Sequence, residues 1–494
     1  MNRSEPPSIE WSTTGILELD VASVPRGTRA AWLADALRRA VADGSLPVGA
    51  HLPTSRDLAT ELGVSRGLVV EAYRRLAEGG HVVGRGRGGT VVVHAPARTP
   101  PAASHGPRPV EFATPDLGVF EALRAASAQI DLTPGAPDLA GFPRAAWLRA
   151  ERRVLDTVPP SAFGYADPAG SPVFRNAVAG WLSRFRGIAV RAEDVIVVAG
   201  FAQALALLTR VLPHHGVDRL AVEDPGSLGA RLQVEAWGMP TVPVPVDERG
   251  LDVAALRATG ARAVLVTPAH QYPTGVVLDG GRRRELAAWA ASGGLIIEDD
   301  YDAEHRYDRA PVPAFQATAP DQVCYGGSLS KILAPALRVG WLVVPERLQR
   351  DVIDAKRSTD LGNATLPQLT LAELMDSGAL EGHLRTVRTR HRRRRDAMIA
   401  ALETHLPDTT VRGAAAGLHL TLTLDGVSVA DTSIAEAALE RGVKVQPLSW
   451  HRHAAGPPGL VVAYAAATPA EIGEGIAVLG EVVTAMTRRS DRGS

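Results

Sequence analysis

Three lysines, Lys331, Lys356 and Lys444, stand against 50 arginines in a chain of 494 residues. Arginine stays protonated in proteins, whereas a lysine amine that has lost its proton attacks carbonyl carbon. Lys331 lies in GGSLSKILAPALRVGW, with Ser328 three residues before it and Arg338 seven after. Roughly 30 residues upstream, IIEDDYDAEHRY begins as a buried strand, Leu295–Ile297, and turns acidic. A carboxylate at that strand end, Asp299, could hold a protonated ring nitrogen. Tyr301, two residues on and on the same side of an extended chain, could donate to a phenolate oxygen. In VVAGFAQAL a strand runs into a helix, so the backbone N–H groups of Phe201 and Ala202 stand at a helix N-terminus, where anions bind. An amine for the aldehyde, a carboxylate for the pyridine nitrogen, a phenolate donor and a phosphate cradle are what pyridoxal 5'-phosphate asks of a protein. Each piece alone is ordinary, since most lysines lie at the surface and most acidic runs are solvated loops; four in compatible order point to that cofactor. No metal site is expected.

Such groups need a scaffold. DVIVVAG precedes FAQALALLTRVL, RLAVEDP precedes LGARLQVEAWG, and RAVLVTPAH precedes GRRRELAAWAASGG. This alternation predicts a mostly parallel sheet between helix layers, with its site at the carboxyl ends of the strands. From about residue 382, a basic helix and the runs LHLTLTL, VKVQPL and GLVVAYA predict a smaller α+β subdomain, 382–488, within a domain spanning 126–488.

Residues 14–94 predict a different unit. TRAAWLADALRRAVADG carries Trp32, Leu33, Ala36, Leu37, Ala40 and Val41 at helical spacing, and Gly44 ends that helix. TSRDLATELG follows, capped by Thr54 or Ser55. SRGLVVEAYRRLAEGG is capped by Ser65 and buries Leu68, Val69, Ala72 and Leu76. HVVGRGRGGTVVV closes the unit as a hairpin with a glycine- and arginine-rich tip. This order is a winged helix-turn-helix, whose second helix presents its N-terminal residues to bases in the major groove. Those residues are Ser65, Arg66 and Gly67. Arg66 can fork onto a guanine edge, Arg56 is placed for a phosphate, and Arg85, Arg87 and Gly88 form a tip for the minor groove or backbone. The segment 95–125, rich in proline and alanine, reads as a linker. The basic run RTVRTRHRRRRDA, 385–397, reads as the solvated face of a long helix or as a second contact to DNA backbone.

Net charge is −1, so any basic surface is local. A single cysteine, Cys324, excludes an internal disulfide framework and fits a reducing, cytoplasmic setting, and no apolar run is long enough to span a membrane.

The stretch GSLPVGAHLPTSRDLATELGVSRGLVVEAYRRLAEGGHVVGRGRGGTVV resembles the GntR-family winged helix over about residues 25–94. GYADPAGSPVFRNAVAGWL, EDPG, TPAHQYPTG, EDDYD, SLSK and LRVGW resemble a fold-type I aminotransferase from about Ile130 to Thr487. Together they are similar to the MocR/GabR-type bacterial transcriptional regulators. That resemblance implies a multidomain chain: a winged helix-turn-helix joined to an α/β PLP-dependent aminotransferase-like domain that senses a ligand rather than turning it over. It implies Lys331 as the Schiff-base lysine, Asp299 and Tyr301 as ring partners, and Ser328 and Arg338 as phosphate ligands. Tyr165 would reach the phosphate of a neighbouring subunit in a head-to-tail homodimer. The implied partners are a double-stranded DNA operator and a small effector: an amine, an amino acid or vitamin B6 itself. Three positions depart from the pattern. Ser227 stands where relatives carry a ring-stacking aromatic. Tyr272 takes an asparagine slot, leaving His270 or Gln271 as the phenolate donor. Val461 stands near the usual carboxylate-clamping arginine, so Arg231 is the alternative clamp. Two other functions fit the same residues, a working aminotransferase with a fused DNA-binding domain and a cofactor-free dimerisation scaffold. Loss of the clamp argues against the first, retention of Lys331, Asp299, Tyr301 and Arg338 against the second.

Overall fold

The computed structural model describes residues 21, 24–94, 108–307 and 312–493. The chain divides into two compact units, one up to Gly106 and one from Pro107.

In the first unit, helices α1 (Arg29–Asp43), α2 (Ser55–Glu61) and α3 (Arg66–Glu78) enclose one apolar cluster that includes Leu33, Leu37, Leu58, Val69 and Leu76. Gly44, at φ 90°, ends α1 in the left-handed region, which costs glycine little. Thr54 caps α2 by accepting from Asp57 N at 3.2 Å, and Ser65 caps α3 by accepting from Leu68 N at 3.4 Å. The wing strands β2 (Val82–Gly84) and β3 (Thr90–Val92) pair antiparallel. A further short strand, β1 (His51–Leu52), pairs with β3 and was not evident in the sequence. Tyr73 joins the buried stripe of α3, its hydroxyl donating to Pro53 O at 2.8 Å.

The second unit opens with α4 (Val119–Ala125), β4 (Ile130–Asp131), α5 (Arg144–Thr157) and α6 (Pro172–Arg186). The linker expected over 95–125 is shorter than that: 95–107 lie outside the described residues, while 108–125 belong to the fold. Phe112, Val119 and Leu123 are buried there, and Trp450 Nε1 donates to Phe112 O at 2.7 Å. Three widely spaced apolar anchors among prolines gave no period to read.

The main sheet is built from β5 (Val195–Val198), β6 (Leu220–Asp224), β7 (Thr241–Asp247), β8 (Gly250–Leu251), β9 (Ala263–Val266), β10 (Leu295–Asp300), β11 (Val323–Ser328) and β12 (Gly340–Val343), in the order β5-β12-β11-β10-β9-β6-β7-β8. Strands β7, β6, β9, β10 and β11 run parallel; β12 is antiparallel to both its neighbours. Near-continuous Val, Ile and Leu in the central strands reflects burial on both faces. Helix α7 (Phe201–Val211) shares one face's core with Ile297, Cys324 and Leu342. Helices α8 (Leu228–Ala236), α9 (Val253–Thr259), α10 (Gly280–Ala291), α11 (Glu346–Asp360) and α12 (Thr365–Asp376) complete the large layer.

The long helix α13 (Ala379–His405) leads to β13 (Thr409–Arg412), β14 (His419–Leu424), α14 (Asp431–Glu440), β15 (Val443–Lys444), β16 (Gln446–Pro447), β17 (Gly459–Ala463) and α15 (Pro469–Gly493). Here an antiparallel sheet, β13-β14-β17-β16, is accompanied by a parallel pair of β15 with β4. No helix among the described residues is long and apolar enough to cross a membrane.

Candidate cofactor site and nucleic-acid interface

Strand alternation decides which of two adjacent carboxylates faces the cleft. Asp300 points to the face that holds Glu298 and is consumed there: Arg186 Nε donates to it at 2.6 Å and Tyr325 Oη at 2.5 Å, all three buried. Asp299 faces the other way, toward α7, opposite Gly326 on β11. It forms no hydrogen bond or ion pair among the described residues. Burial raises its pKa well above the usual carboxylate range, helped by the charges of Asp300 and Asp302 and opposed by Lys331. A carboxyl so placed could take a protonated ring nitrogen as its partner.

Lys331 follows β11 by three residues. Its amine donates to the carbonyl of Gly135, and no carboxylate lies in ion-pair contact with it among the described residues. Burial lowers its pKa, against the pull of Asp299 and Asp302. An amine kept less basic than a free lysine, beside a carboxyl, is poised as a nucleophile.

The anion seat forms where three glycines bring backbones together. Gly200, at φ 81°, precedes the first residue of α7, Phe201. A methyl on Gly200 would lie 3.5 Å from Arg338 Nη1. Ser328 pairs with Gly340 across β11 and β12, and a methyl on Gly340 would lie 3.1 Å from Gly200 Cα. The ring of Phe201 covers Gly326, where a methyl would clash at 2.4 Å. Ser328, Arg338 and the N–H groups of Phe201 and Ala202 therefore gather at one helix N-terminus. Gln203 braces the turn, its Oε1 accepting from Ala199 N at 2.7 Å.

Tyr301 does not share an extended strand with Asp299 as expected, because β10 ends at Asp300 and Tyr301 lies in the following bend. Its hydroxyl sits 3.0 Å from His270 Nδ1 and donates to His270 O at 3.1 Å. Of the two residues named as a substitute phenolate donor, Gln271 is excluded. Its amide donates to Glu223, Pro225 O and Tyr272 O, and its oxygen accepts from Thr274. Buried Glu223, which also accepts from Thr267, is pushed up to about 7 by that burial. His270 touches Tyr301 and Asp302. His270, Asp302 and His419 bring ligand atoms within 4.8 Å of one another. No local pattern marks this group, whose members are scattered over three segments. Two of its nitrogens are already engaged, His270 Nδ1 with Asp302 at 2.8 Å and His419 Nε2 with Pro273 O at 2.9 Å, while His270 Nε2 has no partner among the described residues.

A small cavity of about 20 Å³ beside Asp299 is lined by Ser227, Arg231, Tyr272, Thr267 and Glu223. Ser227 caps α8 through Ala230 N at 3.3 Å. Arg231 is half-buried, donates to Trp450 O at 3.4 Å and has no ion pair among the described residues; burial lowers its pKa. Val461 is wholly buried within the small sheet, between Thr421 and Gln446, and offers no cation. Tyr165 is 96% exposed and so touches nothing of the anion seat in its own chain.

In the first unit Ser65, Arg66 and Gly67 are exposed at the start of α3, and Arg66 Nε donates to Ser55 Oγ at 3.3 Å. Arg56, Arg85 and Gly88 are exposed too, and neither arginine has an ion pair among the described residues. Arg74 and Arg75, by contrast, are neutralised by Glu71 on their own helix. The side chain of Arg87 lies outside the described residues.

Residues 127–479 match the family model of aminotransferase class I and II, and residues 30–92 match that of the gntR family of bacterial regulatory proteins. The chain is similar to the HTH-type pyridoxine biosynthesis transcriptional regulator PdxR of Corynebacterium glutamicum, 36% identical over 395 residues, with 80% of this chain and 83% of the relative covered. It is 32% identical over 456 residues to the probable rhizopine catabolism regulatory protein MocR of Rhizobium meliloti, covering 90% of this chain and 91% of that one. Among solved structures, the kynurenine aminotransferase of Pyrococcus horikoshii in complex with PMP superposes with a TM-score of 0.68 at 27% identity, covering 74% of this chain and 93% of that one.

Proposed function

We infer, for a chain that belongs to the MocR-type HTH transcriptional regulators, with a gntR-family domain ahead of an aminotransferase class I and II domain, that pyridoxal 5'-phosphate bound in the second domain governs how the first reads duplex DNA. The observation that carries this is the placing of Lys331 and Asp299 within reach of each other's charge, neither in an ion pair among the described residues, in a domain whose Arg338 lies at a helix N-terminus.

When bound, the cofactor supplies an electrophilic carbon that exchanges amines, and a visible absorption band that reports the exchange. Lys331 would hold it covalently, Asp299 would face the ring nitrogen and favour its protonated form, and Tyr301 would donate to the phenolate oxygen. Ser328, Arg338 and the N–H groups of Phe201 and Ala202 neutralise the phosphate. Tyr165, bare in one chain, supports a head-to-tail homodimer in which it completes the seat of the second copy. Ser65, Arg66, Gly67, Arg56, Arg85, Arg87 and Gly88 contact DNA.

The effector is a small amine, an amino acid or the cofactor itself. Val461 takes the place of the arginine that usually forks onto a substrate carboxylate, which supports sensing over turnover. Arg231, which lines the cavity beside Asp299 and has no ion pair among the described residues, is the group left to meet an anionic effector.

The full chain is tested by titration with pyridoxal 5'-phosphate, followed by absorbance, and then by an absorbance screen of amines and amino acids read beside anisotropy of labelled operator DNA. A yellow protein whose DNA affinity changes when an amine bleaches the band is the expected result. A colourless protein that ignores added cofactor would leave a dimerisation scaffold, and sustained turnover of an amino donor with a keto acid would make it an enzyme.

A further inference from the structure

Tyr301 is held by a pair of side chains, His270 and Asp302, of which His270 is the residue left from the expected pair of substitute donors. Asp302 Oδ2 lies 2.8 Å from His270 Nδ1, and both side chains are buried. A carboxylate only accepts, so Nδ1 carries the hydrogen. The same Nδ1 is 3.0 Å from the Tyr301 hydroxyl oxygen. His270 Nε2 is buried and has no partner, so the other edge of the ring is committed to nothing else. The backbone is shaped to this arrangement. A methyl on Gly417, at φ 81°, would stand 2.0 Å from His270 Cε1 and 2.8 Å from Asp302 Oδ2. One on Gly275 would stand 3.0 Å from His270 Nε2. The ring is thus clamped between two glycines on separate segments, with its hydrogen aimed at the tyrosine and the carboxylate.

We propose that His270, oriented by Asp302, is a positioning residue for Tyr301: its Nδ1–H occupies a lone pair of the tyrosine oxygen, so that the one phenolic hydrogen, which here goes to the carbonyl of His270 at 3.1 Å, is handed to the cofactor's phenolate oxygen when the cofactor is bound and sets how much negative charge that oxygen keeps. This rests on the cofactor reading above. A hydroxyl that accepts from one neighbour donates more strongly to the next, so the chain Asp302, His270, Tyr301 acts as one unit. The charged and titratable groups facing it are Asp299 and Lys331 in the cleft, Glu304 and His305 after the bend, His419 on β14, and Tyr272. Of these six, His305 donates its backbone N–H to Asp302 O at 2.8 Å, and none hydrogen-bonds to the side chain of Asp302 or of His270 among the described residues.

The visible band of the loaded, full-length protein reads this directly. Negative charge left on the phenolate oxygen holds the proton on the lysine–cofactor linkage, so a weaker Tyr301 donor raises the pH at which the yellow band converts. His270→Phe and Asp302→Asn are each expected to raise that midpoint by about one unit. His270→Asn, whose amide N–H replaces the Nδ1–H donor, is expected to stay near the parent. In a Tyr301→Phe background, which moves the midpoint by itself, His270→Phe is expected to add nothing. The proposal is overturned if His270→Phe and Asp302→Asn keep the parental midpoint while Tyr301→Phe shifts it, or if His270→Phe shifts it equally with and without the tyrosine. A parent chain that shows no band overturns the cofactor reading and this inference together; a coloured parent with unmoved variants overturns this inference alone.

Discussion

A compact ammonium fits sockets that a planar guanidinium does not, and two of the three lysines are retained for that reason. Lys356 is wholly buried, reaching Asp360 at 3.0 Å and Asn363 at 2.6 Å. Lys444 is buried between Asp131 at 3.7 Å and the carbonyl of Arg124 at 3.1 Å. Lys331 alone has no such anionic socket, and scarcity of lysine pointed to it only because its neighbours Ser328 and Arg338 stood in the same stretch. Its lowered pKa fixes the sign of a pH effect. The neutral amine is the nucleophile, so the rate of cofactor uptake is expected to rise with pH and to level off below the free-lysine value of 10.5. Stopped-flow absorbance across pH measures it. Lys331→Ala is expected to give no yellow band, and a band of parental intensity in that variant would displace Lys331 from its role. Asp299 was legible because a strand end turned acidic, and the alternation of β10 separates it from Asp300. The pairing of His270 with Asp302 was not legible: it joins residues 32 positions apart through a bend that has no periodic signature.

At the scale of elements, the arginine-rich stretch of α13 behaves differently from the solvated or DNA-facing surface that its composition suggests. Arg388 donates to the carbonyl of Arg306 at 2.6 Å and Arg392 to that of Tyr307 at 2.6 Å. Arg394 donates to the carbonyl of Ala465, and Arg395 to that of Ala414 at 3.0 Å. Arg390 reaches Asp138 at 2.8 Å. Helical spacing turns these side chains toward irregular segments, and four of the five guanidiniums satisfy a carbonyl there while Arg390 pairs with a carboxylate. Which loops they meet is set by the tertiary fold, so sequence reported the charge and not its use. Two of the carbonyls belong to the segment that follows Tyr301 and Asp302. Arg388→Ala with Arg392→Ala is therefore expected to lower stability by about 1–3 kcal/mol per lost donor and to weaken cofactor affinity. Arg385→Ala with Arg393→Ala, both exposed, should change neither. Denaturant unfolding and cofactor titration of the two pairs decide it, and equal effects would return the stretch to a merely solvated surface.

At the scale of the whole molecule, a net charge of −1 means that attraction to DNA has to come from local geometry. The winged helix meets that need by leaving particular arginines without counter-charges. Arg74 and Arg75 are spent on Glu71 and Arg38 on Asp35, whereas Arg56 and Arg85 stay unpaired at the ends that flank α3. Arg66, held only by Ser55 Oγ at 3.3 Å, can exchange that contact for a base edge at little cost. These positions were readable because the N-cap at Ser65 and the glycines of the wing are local signals; the third strand, β1, is two residues long and has no signal of its own. Phosphate and base contacts leave different signatures in binding data. Arg56→Ala is expected to weaken operator and random DNA alike and to reduce the slope of log affinity against log salt by about one for each half-site. Arg66→Ala is expected to cost about 1–3 kcal/mol on the operator, with relaxed preference at one base position, and much less on random DNA. Neither should alter the visible band, because the residues proposed to hold the cofactor all lie in the second unit. Anisotropy titrations at several salt concentrations, on operator and scrambled duplexes, separate the two patterns. Equal losses on both duplexes for Arg66→Ala would make it a phosphate contact and move base readout elsewhere on α3.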